Sequence, residues 1–323
     1  MSPFLKRRRI TILTPVYNEE SCLPLYEHAV RNTLLACQEY EFRFLLIDDG
    51  SSDRSWELIS DLCARDPHFQ GLRLSRNYGS HIALSAGFAY ADGDAVATLA
   101  CDLQDSPEVI LAFLDKWRVG AQIVWGHRRS REDETWRRWT SNLFCRLLRR
   151  FAMPRGSHFT TGSFFLIDRK VAECFRQFQE HNRITFALVA WTGFDQAVVT
   201  YDRKQRVAGK SGWNLRRMIK TMYDAFIGFS TLPFRLMTWC GVSLFVLTVP
   251  LLVYVVLSWL TGNPLQGWSS VMFALTFFFG IQFLLLGVVG EYLYRIYAEV
   301  VRRPLYFISE HTSHLEFVRS HGD

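Results

Sequence analysis

A long stretch without charge near the carboxyl end constrains this chain more than any other feature. From Leu236 to Gly290 there is no Asp, Glu, Lys or Arg, and Gly262-Asn263-Pro264 divides the stretch into two apolar segments. Each segment, of roughly 20 to 25 residues, is long enough to cross a bilayer as a helix. We therefore predict two transmembrane helices, at about 233–260 and 268–294. The alternative is a buried helical hairpin of a soluble protein, which needs a surrounding shell that 323 residues do not supply.

Charges beside these segments predict their orientation. The loop between them carries no charge, several basic residues between 203 and 220 precede the first segment, and Arg295, Arg302 and Arg303 follow the second. By the positive-inside rule, both flanks face the cytoplasm. The prediction is a multi-pass protein of the inner (plasma) membrane, with its large amino-terminal region and both termini in the cytoplasm.

Composition narrows the classes of partner. The formal charge is +6, and much of the cationic excess lies beside the apolar segments or between Arg128 and Arg155. Anionic lipid and phosphate are therefore the expected partners, and nucleic acid is not. The seven cysteines are scattered without Cys-x-x-Cys spacing, so they predict neither a disulfide framework nor a zinc site.

The first half of the chain alternates β-rich runs with helical patterns, which predicts an α/β fold with a mostly parallel sheet. Apolar residues at helical spacing over 213–229, with cations between them, predict an amphipathic helix that lies on the membrane surface or packs against the globular domain. The predicted strands lie at 9–14, 42–47, 72–74, 95–99, 123–125 and 164–167, and the predicted helices at 22–37, 55–64, 81–90 and 107–117. The predicted domains are a cytoplasmic α/β domain at 1–212, a juxtamembrane helix at 213–232, two transmembrane helices at 233–298 and a cytoplasmic tail at 299–323.

Two acidic clusters follow two of the predicted strands. Asp48-Asp49 comes after the apolar run at 44–47, and Asp102-Leu103-Gln104-Asp105 comes after the run at 95–99. Ligands of open α/β sheets collect at the carboxyl ends of the strands. The clusters therefore predict a site for a nucleotide and a metal ion at that edge.

Four motifs in register carry a family resemblance. They are Thr14-Pro15-Val16-Tyr17-Asn18-Glu19-Glu20, Asp48-Asp49-Gly50-Ser51-Ser52-Asp53, Ser75-Arg76-Asn77-Tyr78-Gly79 and Asp102-Leu103-Gln104-Asp105. With the apolar pair at the carboxyl end, their order resembles family 2 glycosyltransferases of the GT-A (Rossmann-like) fold. Within that family the chain is similar to the polyprenyl-phosphate glycosyltransferases related to dolichol-phosphate mannose synthase. The resemblance covers about residues 8–305.

The resemblance implies roles for individual residues. It places Mg²⁺ or Mn²⁺ on Asp102 and Gln104, because carboxylate and amide oxygens suit a hard cation, and it makes Asp102, Gln104 and Arg128 the catalytic set. Alternatives stay open: Asp48 or Asp53 can brace a turn, Asp105 can cap a helix, and Arg206 can be juxtamembrane charge. The residues implied in substrate binding are Pro15, Tyr17, Glu19, Asp49, Arg76, Asn77, Arg131, Arg206, Lys210 and Ser211. A structural histidine is the alternative to a sugar or phosphate contact for His81.

Three departures from the family pattern affect the site. Ala100 replaces an aspartate that many relatives carry, Ser163 stands where relatives have an acidic residue, and Gly212 replaces a common lysine. A serine cannot serve as a carboxylate base. A polyprenyl phosphate does not need one, because a second phosphate pKa near 6 leaves its oxygen largely ionised at cytosolic pH.

The resemblance and these residues predict inverting transfer of a single sugar to undecaprenyl or another polyprenyl phosphate. The donor is a UDP- or GDP-sugar, with UDP-glucose the first expectation by family analogy. A homo-oligomer is expected by resemblance alone. The alternatives are transfer to another membrane acceptor, such as diacylglycerol or a lipid-linked saccharide, and a catalytically silent membrane scaffold that retains the fold.

Overall fold

The structure is a computed structural model that describes residues 7–129, 163–181, 183–203, 232–261 and 267–312. The chain divides into two compact units. The first combines Met1–Met222 with Pro304–Asp323, and the second is Tyr223–Arg303.

An eight-stranded sheet forms the centre of the first unit. Its strand order is β7-β5-β6-β4-β1-β2-β3-β8. Six strands run parallel to one another, whereas β6 is antiparallel to β4 and β5, and β8 is antiparallel to β3. The strands are β1 (Arg9–Val16), β2 (Glu41–Asp48), β3 (Phe69–Leu74), β4 (Ala95–Thr98), β5 (Ile123–Arg128), β6 (Phe165–Asp168), β7 (Gln196–Tyr201) and β8 (Ile308–His311).

Helices pack on the sheet because the central strands carry long runs of buried residues. Phe44 to Asp48 of β2 are all buried, as expected for a strand covered on both faces. In α4 the buried residues Ile110, Phe113, Leu114 and Trp117 recur at helical spacing and form the face toward the core. The helices of this unit are α1 (Leu23–Val30), continued by a π-helical turn (Arg31–Leu35), then α2 (Ser55–Arg65), α3 (Ser80–Tyr90), α4 (Glu108–Arg118), α5 (Arg169–Gln177) and α6 (Thr185–Trp191).

The mostly parallel α/β sheet confirms the fold class predicted from the sequence. The structure adds strands β7 and β8, which the sequence analysis did not predict. The region 299–323, expected to be a separate tail, includes β8, which pairs with β3 through Leu72, Arg73 and Leu74. Its sequence, Ile-Ser-Glu-His, has one apolar residue, so no alternating pattern marks it as a strand.

The second unit contains two long helices, α7 (Leu232–Leu260) and α8 (Trp268–Val301). Both apolar segments are helical, as predicted. Within the described residues, one stretch, Phe277–Val301, is long and apolar enough to cross a membrane, and its most apolar part, 18 residues long, has a mean hydropathy of 1.6 and is not buried. The predicted amphipathic helix at 213–232 lies outside the described residues.

Candidate active site

The carboxyl ends of the six parallel strands meet at one edge of the sheet, and the four sequence motifs lie there. The loops that follow β1, β2 and β3 interlock through backbone groups. The amide of Asp49 donates to the carbonyl of Val16 at 2.8 Å, and the amide of Asn18 donates to Ser51 Oγ at 2.9 Å. Asn18 Oδ1 in turn accepts from the amide of Ser52 at 2.9 Å. The first two motifs therefore form one bonded surface.

Asp49 joins the second motif to the third. Its two carboxylate oxygens accept the backbone N–H groups of Tyr78 and Gly79, each at 2.8 Å. Burial raises the pKa of Asp49 to about 6, although these two hydrogen bonds act in the opposite direction. Asp48, fully buried, accepts from the amide of Ser51 at 3.2 Å, which agrees with the bracing role left open for it.

Gly50 allows the β2–α2 and β3–α3 loops to touch. Its φ of +69° is a conformation that L side chains rarely adopt. A Cβ atom at this position would lie 2.4 Å from the carbonyl carbon of Arg76 and 2.8 Å from the nitrogen of Asn77. Neither backbone atom can rotate away, so the close approach requires glycine.

Several side chains implied in nucleotide binding line this surface. Tyr17 is 46% exposed, Pro15 and Glu19 are half-buried, and Arg76 and Asn77 are exposed. The Arg76 guanidinium lies 4.8 Å from the centre of the Tyr78 ring. The structure brings these residues to one edge of the sheet, on interlocked backbone.

The β4–α4 loop turns sharply between the two proposed metal ligands. Leu103, with a φ of +52°, separates Asp102 from Gln104, and Asp102 Oδ1 accepts the amide of Gln104 at 3.2 Å. A non-glycine residue in this conformation is uncommon and often occurs at functional sites. Asp102 is 8% exposed, and Gln104 is half-buried.

The β4–α4 turn offers one carboxylate, Asp102, and one side-chain amide, Gln104, to a divalent cation. Among the described residues, no group of three or more His, Cys, Asp or Glu side chains is placed to hold a metal ion. One carboxylate and one amide oxygen suit Mg²⁺ or Mn²⁺ when substrate phosphate and water supply the other ligands. The turn therefore fits a cation that binds together with a phosphorylated substrate.

A second cluster, formed by Asp105, Tyr201, Arg128 and Arg203, lies beside this turn. The Tyr201 hydroxyl donates to Asp105 Oδ1 at 2.5 Å and accepts from Arg128 Nε at 3.4 Å. The same carboxylate oxygen is 3.9 Å from Arg128 Nε and 3.7 Å from Arg203 Nε. One carboxylate therefore holds two guanidinium groups close together, at the ends of β5 and β7.

The electrostatics of this cluster favour an added anion. Burial and, second to it, the charge of Arg128 lower the pKa of Arg203. Burial and the charge of Asp105 raise the pKa of the Tyr201 hydroxyl, so it stays protonated as a donor. Two cations share one carboxylate, so a phosphate group would relieve their repulsion.

The cluster corrects one sequence interpretation and adds two residues. Asp105 does not cap α4, because that helix begins at Glu108 with Pro107 as N-cap and no side-chain capping bond. Tyr201 and Arg203 were missed as site residues. The sequence signal was weak. Tyr201 is the last residue of strand β7 (Gln196–Tyr201), and the position of that strand end at the site follows only from the parallel pairing of β7 with β5.

The remaining residues singled out from the sequence either have structural contacts or lie outside the described residues. His81 Nδ1 is 3.3 Å from Thr185 Oγ1, its ring packs against Phe186, and burial lowers its pKa to about 4. These contacts favour the structural interpretation of this histidine. Ser163 has an exposed side chain, and its carbonyl accepts a hydrogen bond from Thr98 Oγ1. Arg131, Arg206, Lys210, Ser211 and Gly212 lie outside the described residues.

Comparisons with known proteins agree with this geometry. The chain is 37% identical over 305 residues to an uncharacterized glycosyltransferase of Synechocystis sp., covering 93% of this chain and 95% of that protein. It is 35% identical over 306 residues to the SfII prophage-derived bactoprenol glucosyl transferase of Shigella flexneri, covering 94% and 98%. It is 32% identical over 307 residues to the prophage bactoprenol glucosyl transferase homolog of Escherichia coli, covering 93% and 98%. Residues 11–176 match the family described as glycosyl transferase family 2, and with these relatives across most of its length the chain belongs to that family.

Proposed function

We propose that this protein transfers one glucose from UDP-glucose to undecaprenyl phosphate, with inversion at the anomeric carbon, at the cytoplasmic face of the membrane. The observation that carries this proposal is the placement of the Asp102 turn and the Arg128–Asp105–Arg203 cluster beside the interlocked nucleotide loops. The names of the Shigella flexneri and Escherichia coli relatives support bactoprenol as the acceptor and glucose as the sugar. The geometry supports sugar transfer from a nucleotide donor, and the names of the relatives support this acceptor and this sugar.

Positive charge at the sheet edge stabilises the leaving group. When bound at Asp102 and Gln104, Mg²⁺ or Mn²⁺ supplies neutralisation of the diphosphate. Arg128 and Arg203 are set by Asp105 and Tyr201 to contact diphosphate oxygens, where charge develops as the bond to the sugar breaks. Arg131, Arg206, Lys210 and Ser211 are proposed to complete this contact.

The nucleoside is proposed to lie on the first three loops. Pro15, Tyr17 and Glu19 provide exposed or half-buried surface for the base and ribose, and Arg76 and Asn77 approach from the third loop. Asp49 supports that surface through the backbone of Tyr78 and Gly79. Because these loops are already bonded to one another, little ordering has to occur when the nucleotide binds.

The acceptor phosphate is the nucleophile. One of its oxygens forms a bond to the anomeric carbon while the bond from that carbon to the diphosphate breaks, and UDP leaves with the electron pair. A largely ionised phosphate has no proton to lose, so Ser163 in place of a carboxylate does not block the reaction. A neutral hydroxyl acceptor would need a base, which disfavours diacylglycerol.

A membrane anchor brings the enzyme to its lipid substrate. We propose that α7 and α8 both span the bilayer and that the protein is multi-pass, with the α/β domain and both termini in the cytoplasm. The proposal includes a homo-oligomer. It also includes the domain limits 1–212, 213–232, 233–298 and 299–323. The uncharged stretch from Leu236 to Gly290 and the flanking cations support it.

The test is transfer from a panel of radiolabelled UDP- and GDP-sugars to undecaprenyl phosphate or, in separate reactions, to diacylglycerol by the full chain in detergent. Parallel reactions contain Mg²⁺, Mn²⁺ or EDTA. Labelled lipid from UDP-glucose, lost in EDTA, is the expected result. Label from another donor would mean that the proposed sugar is wrong. Label only on diacylglycerol would mean that the proposed acceptor is wrong. Nucleotide binding without any product would favour the silent scaffold.

A further inference from the structure

Strand β8 carries a side chain, Glu310, that contacts residues beside the nucleotide loops although it lies far from them in the sequence. β8 follows α8 and pairs with β3, which precedes the third motif. Glu310 on β8 contacts Arg73 on β3, and its Oε1 is 2.7 Å from Arg73 Nη1. A residue near the carboxyl end of the chain thus enters the network around the second motif.

Arg73 uses each part of its guanidinium group in a different contact. Nε is 3.2 Å from Asp48 Oδ2, Nη1 binds Glu310, and Nη2 donates to the carbonyl of Ser51 at 3.3 Å. Asp48 and Ser51 begin the β2–α2 loop, and the amide of Ser51 donates to Asp48. The planar guanidinium therefore connects β8 to both ends of one tight turn.

Glu310 also fixes the start of helix α2. Its second oxygen, Oε2, accepts from Trp56 Nε1 at 2.9 Å, and the Arg73 guanidinium lies 5.8 Å from the centre of the Trp56 ring. Hydrogen bonds from Arg73 and Trp56 lower the pKa of Glu310, so it is ionised at neutral pH. The carboxylate thereby orients the arginine from one side and the tryptophan from the other.

The burial of Asp48 makes the orientation of Arg73 important. Asp48 is fully buried, whereas the side chains of Arg73 and Glu310 are 30% and 52% exposed. A buried carboxylate needs a cation or hydrogen-bond donors to remain charged. Without Glu310, the Arg73 head can turn toward water, and the turn at Asp48 and Ser51 loses part of its support.

The same strand region touches the third motif. The amide of Ser75 donates to the carbonyl of Phe307 at 2.9 Å, and Ser309 Oγ donates to the carbonyl of Arg73 at 3.3 Å. Residues 307–310 therefore contact both the β2–α2 loop, through Arg73, and the start of the β3–α3 loop.

We propose that Glu310 is a positioning residue for nucleotide binding: through Arg73 it holds the Asp48–Ser51 turn in the conformation that receives the donor nucleotide. The inference rests on the proposed function for the location of the nucleotide. It adds a residue outside the four motifs and beyond the apolar segments, and it links the carboxyl-terminal strand to donor affinity.

The test compares Glu310→Ala, Glu310→Gln and a control, His311→Ala, in the full chain in detergent. His311 is the next residue of β8, and its described hydrogen bond goes from Nδ1 to the neighbouring carbonyl of Thr312. Nucleotide affinity is measured by calorimetry with UDP and GDP, and KM for donor and acceptor, kcat and Tm are measured separately. Calorimetry needs no turnover, so it still reports on Glu310 if the acceptor or the sugar has been chosen wrongly.

Glu310→Ala is expected to weaken nucleotide binding and raise the donor KM about 5- to 10-fold, which is less than the tenfold or larger effect of a hydrogen bond to a charged group because Glu310 acts through Arg73. The acceptor KM and kcat should stay within about twofold. Glu310→Gln keeps an acceptor and should restore most of the affinity, and His311→Ala should match the wild type. An unchanged nucleotide affinity with a lowered Tm would overturn the proposal, and so would a wild-type chain that binds neither UDP nor GDP.

Discussion

The two halves of the candidate site are built in different ways. The nucleotide half, formed by the loops after β1, β2 and β3, is held by hydrogen bonds from backbone N–H groups to the side chains of Ser51 and Asp49, and by a glycine that lets two loops touch. The phosphate half, formed after β4, β5 and β7, is held by side-chain charges around Asp105, at separations of 3.7 and 3.9 Å from the two guanidinium groups. The first half is shaped in advance, and the second depends on charge balance.

The difference teaches which kind of change each half should tolerate. A surface whose backbone is already in place should keep its function when the charge of an exposed side chain is changed. It should lose function when the shape of the backbone is changed. A cluster of like charges around one counter-ion has the opposite sensitivity, because removal of one charge alters the positions of the others.

The largest effect is expected in the phosphate half, at Asp102. Replacing Asp102 by Ala removes the carboxylate of the proposed cation site, and loss of charge stabilisation in the transition state costs about 10²- to 10³-fold in kcat. The measurement is metal-dependent glucose transfer to undecaprenyl phosphate. Asp115→Asn, an exposed carboxylate on α4, is the control. Unchanged activity in Asp102→Ala, with membrane insertion intact in both variants, would remove Asp102 from the metal site.

A change of shape should damage the nucleotide half. Gly50→Ala combines a positive φ with a Cβ placed 2.4 Å from backbone, and we expect about a 10- to 30-fold loss of nucleotide affinity together with a lower Tm. Gly193→Ala is a matched control, because its φ is +75° but no atom lies within 4 Å of the added Cβ. Equal losses in the two variants would mean that backbone strain, and not the loop contact, explains the effect.

Asp105 tests whether charge balance organises the phosphate half. Asp105→Asn leaves Arg128 and Arg203 without their shared counter-ion, and we expect kcat/KM for the donor to fall about 10-fold. Tyr201→Phe keeps the carboxylate and removes one donor, so a fall of about threefold is expected. Asp202→Asn, an exposed carboxylate 3.6 Å from Arg129, should leave kcat/KM unchanged. If Asp202→Asn and Asp105→Asn gave the same loss, general surface charge would explain both.

The smallest effect concerns the pH dependence of stability at Asp49. Its pKa is raised to about 6 from an unfolded value near 3.8, so the folded state holds this proton more tightly. The stabilisation is present below pH about 4 and is lost as the pH rises through about 6. Relative to Asp49→Asn, the Tm of the wild type should therefore fall by about 2–4 °C between pH 4.5 and 7.5. A constant difference across this range would show that Asp49 is not desolvated.

Much of the fold could be predicted because its signals are local. The apolar runs at 42–47 and 95–99 and the helical spacing at 107–117 report burial directly, and the structure has elements at each of these places. Strand β8 could not be predicted, because three of the four residues in Ile308–His311 are polar. Its pairing with β3 also joins distant parts of the chain. The antiparallel direction of β6 is likewise a property of the connection and not of its four residues.

The positions of the candidate site residues could be predicted as far as the loops that carry them, but the side chains that surround each residue could not. Carboxylates after buried strands indicate an edge of the sheet, and Asp49 and Asp102 lie there. Which groups surround Asp105 depends on β5 and β7 lying side by side, and that neighbourhood has no local pattern. The same holds for Arg73, whose partners Asp48 and Glu310 come from two other strands.

The pairing of β8 with β3 has a consequence for synthesis on the ribosome. Translation proceeds from the amino end, so α7 and α8 emerge before Ile308–His311 can pair. During that interval β3 has no outer neighbour, and an open strand edge invites pairing with other chains. The nascent α/β domain is therefore most exposed to aggregation while α7 and α8 are still being synthesised, and this exposure ends only when β8 leaves the ribosome and pairs with β3.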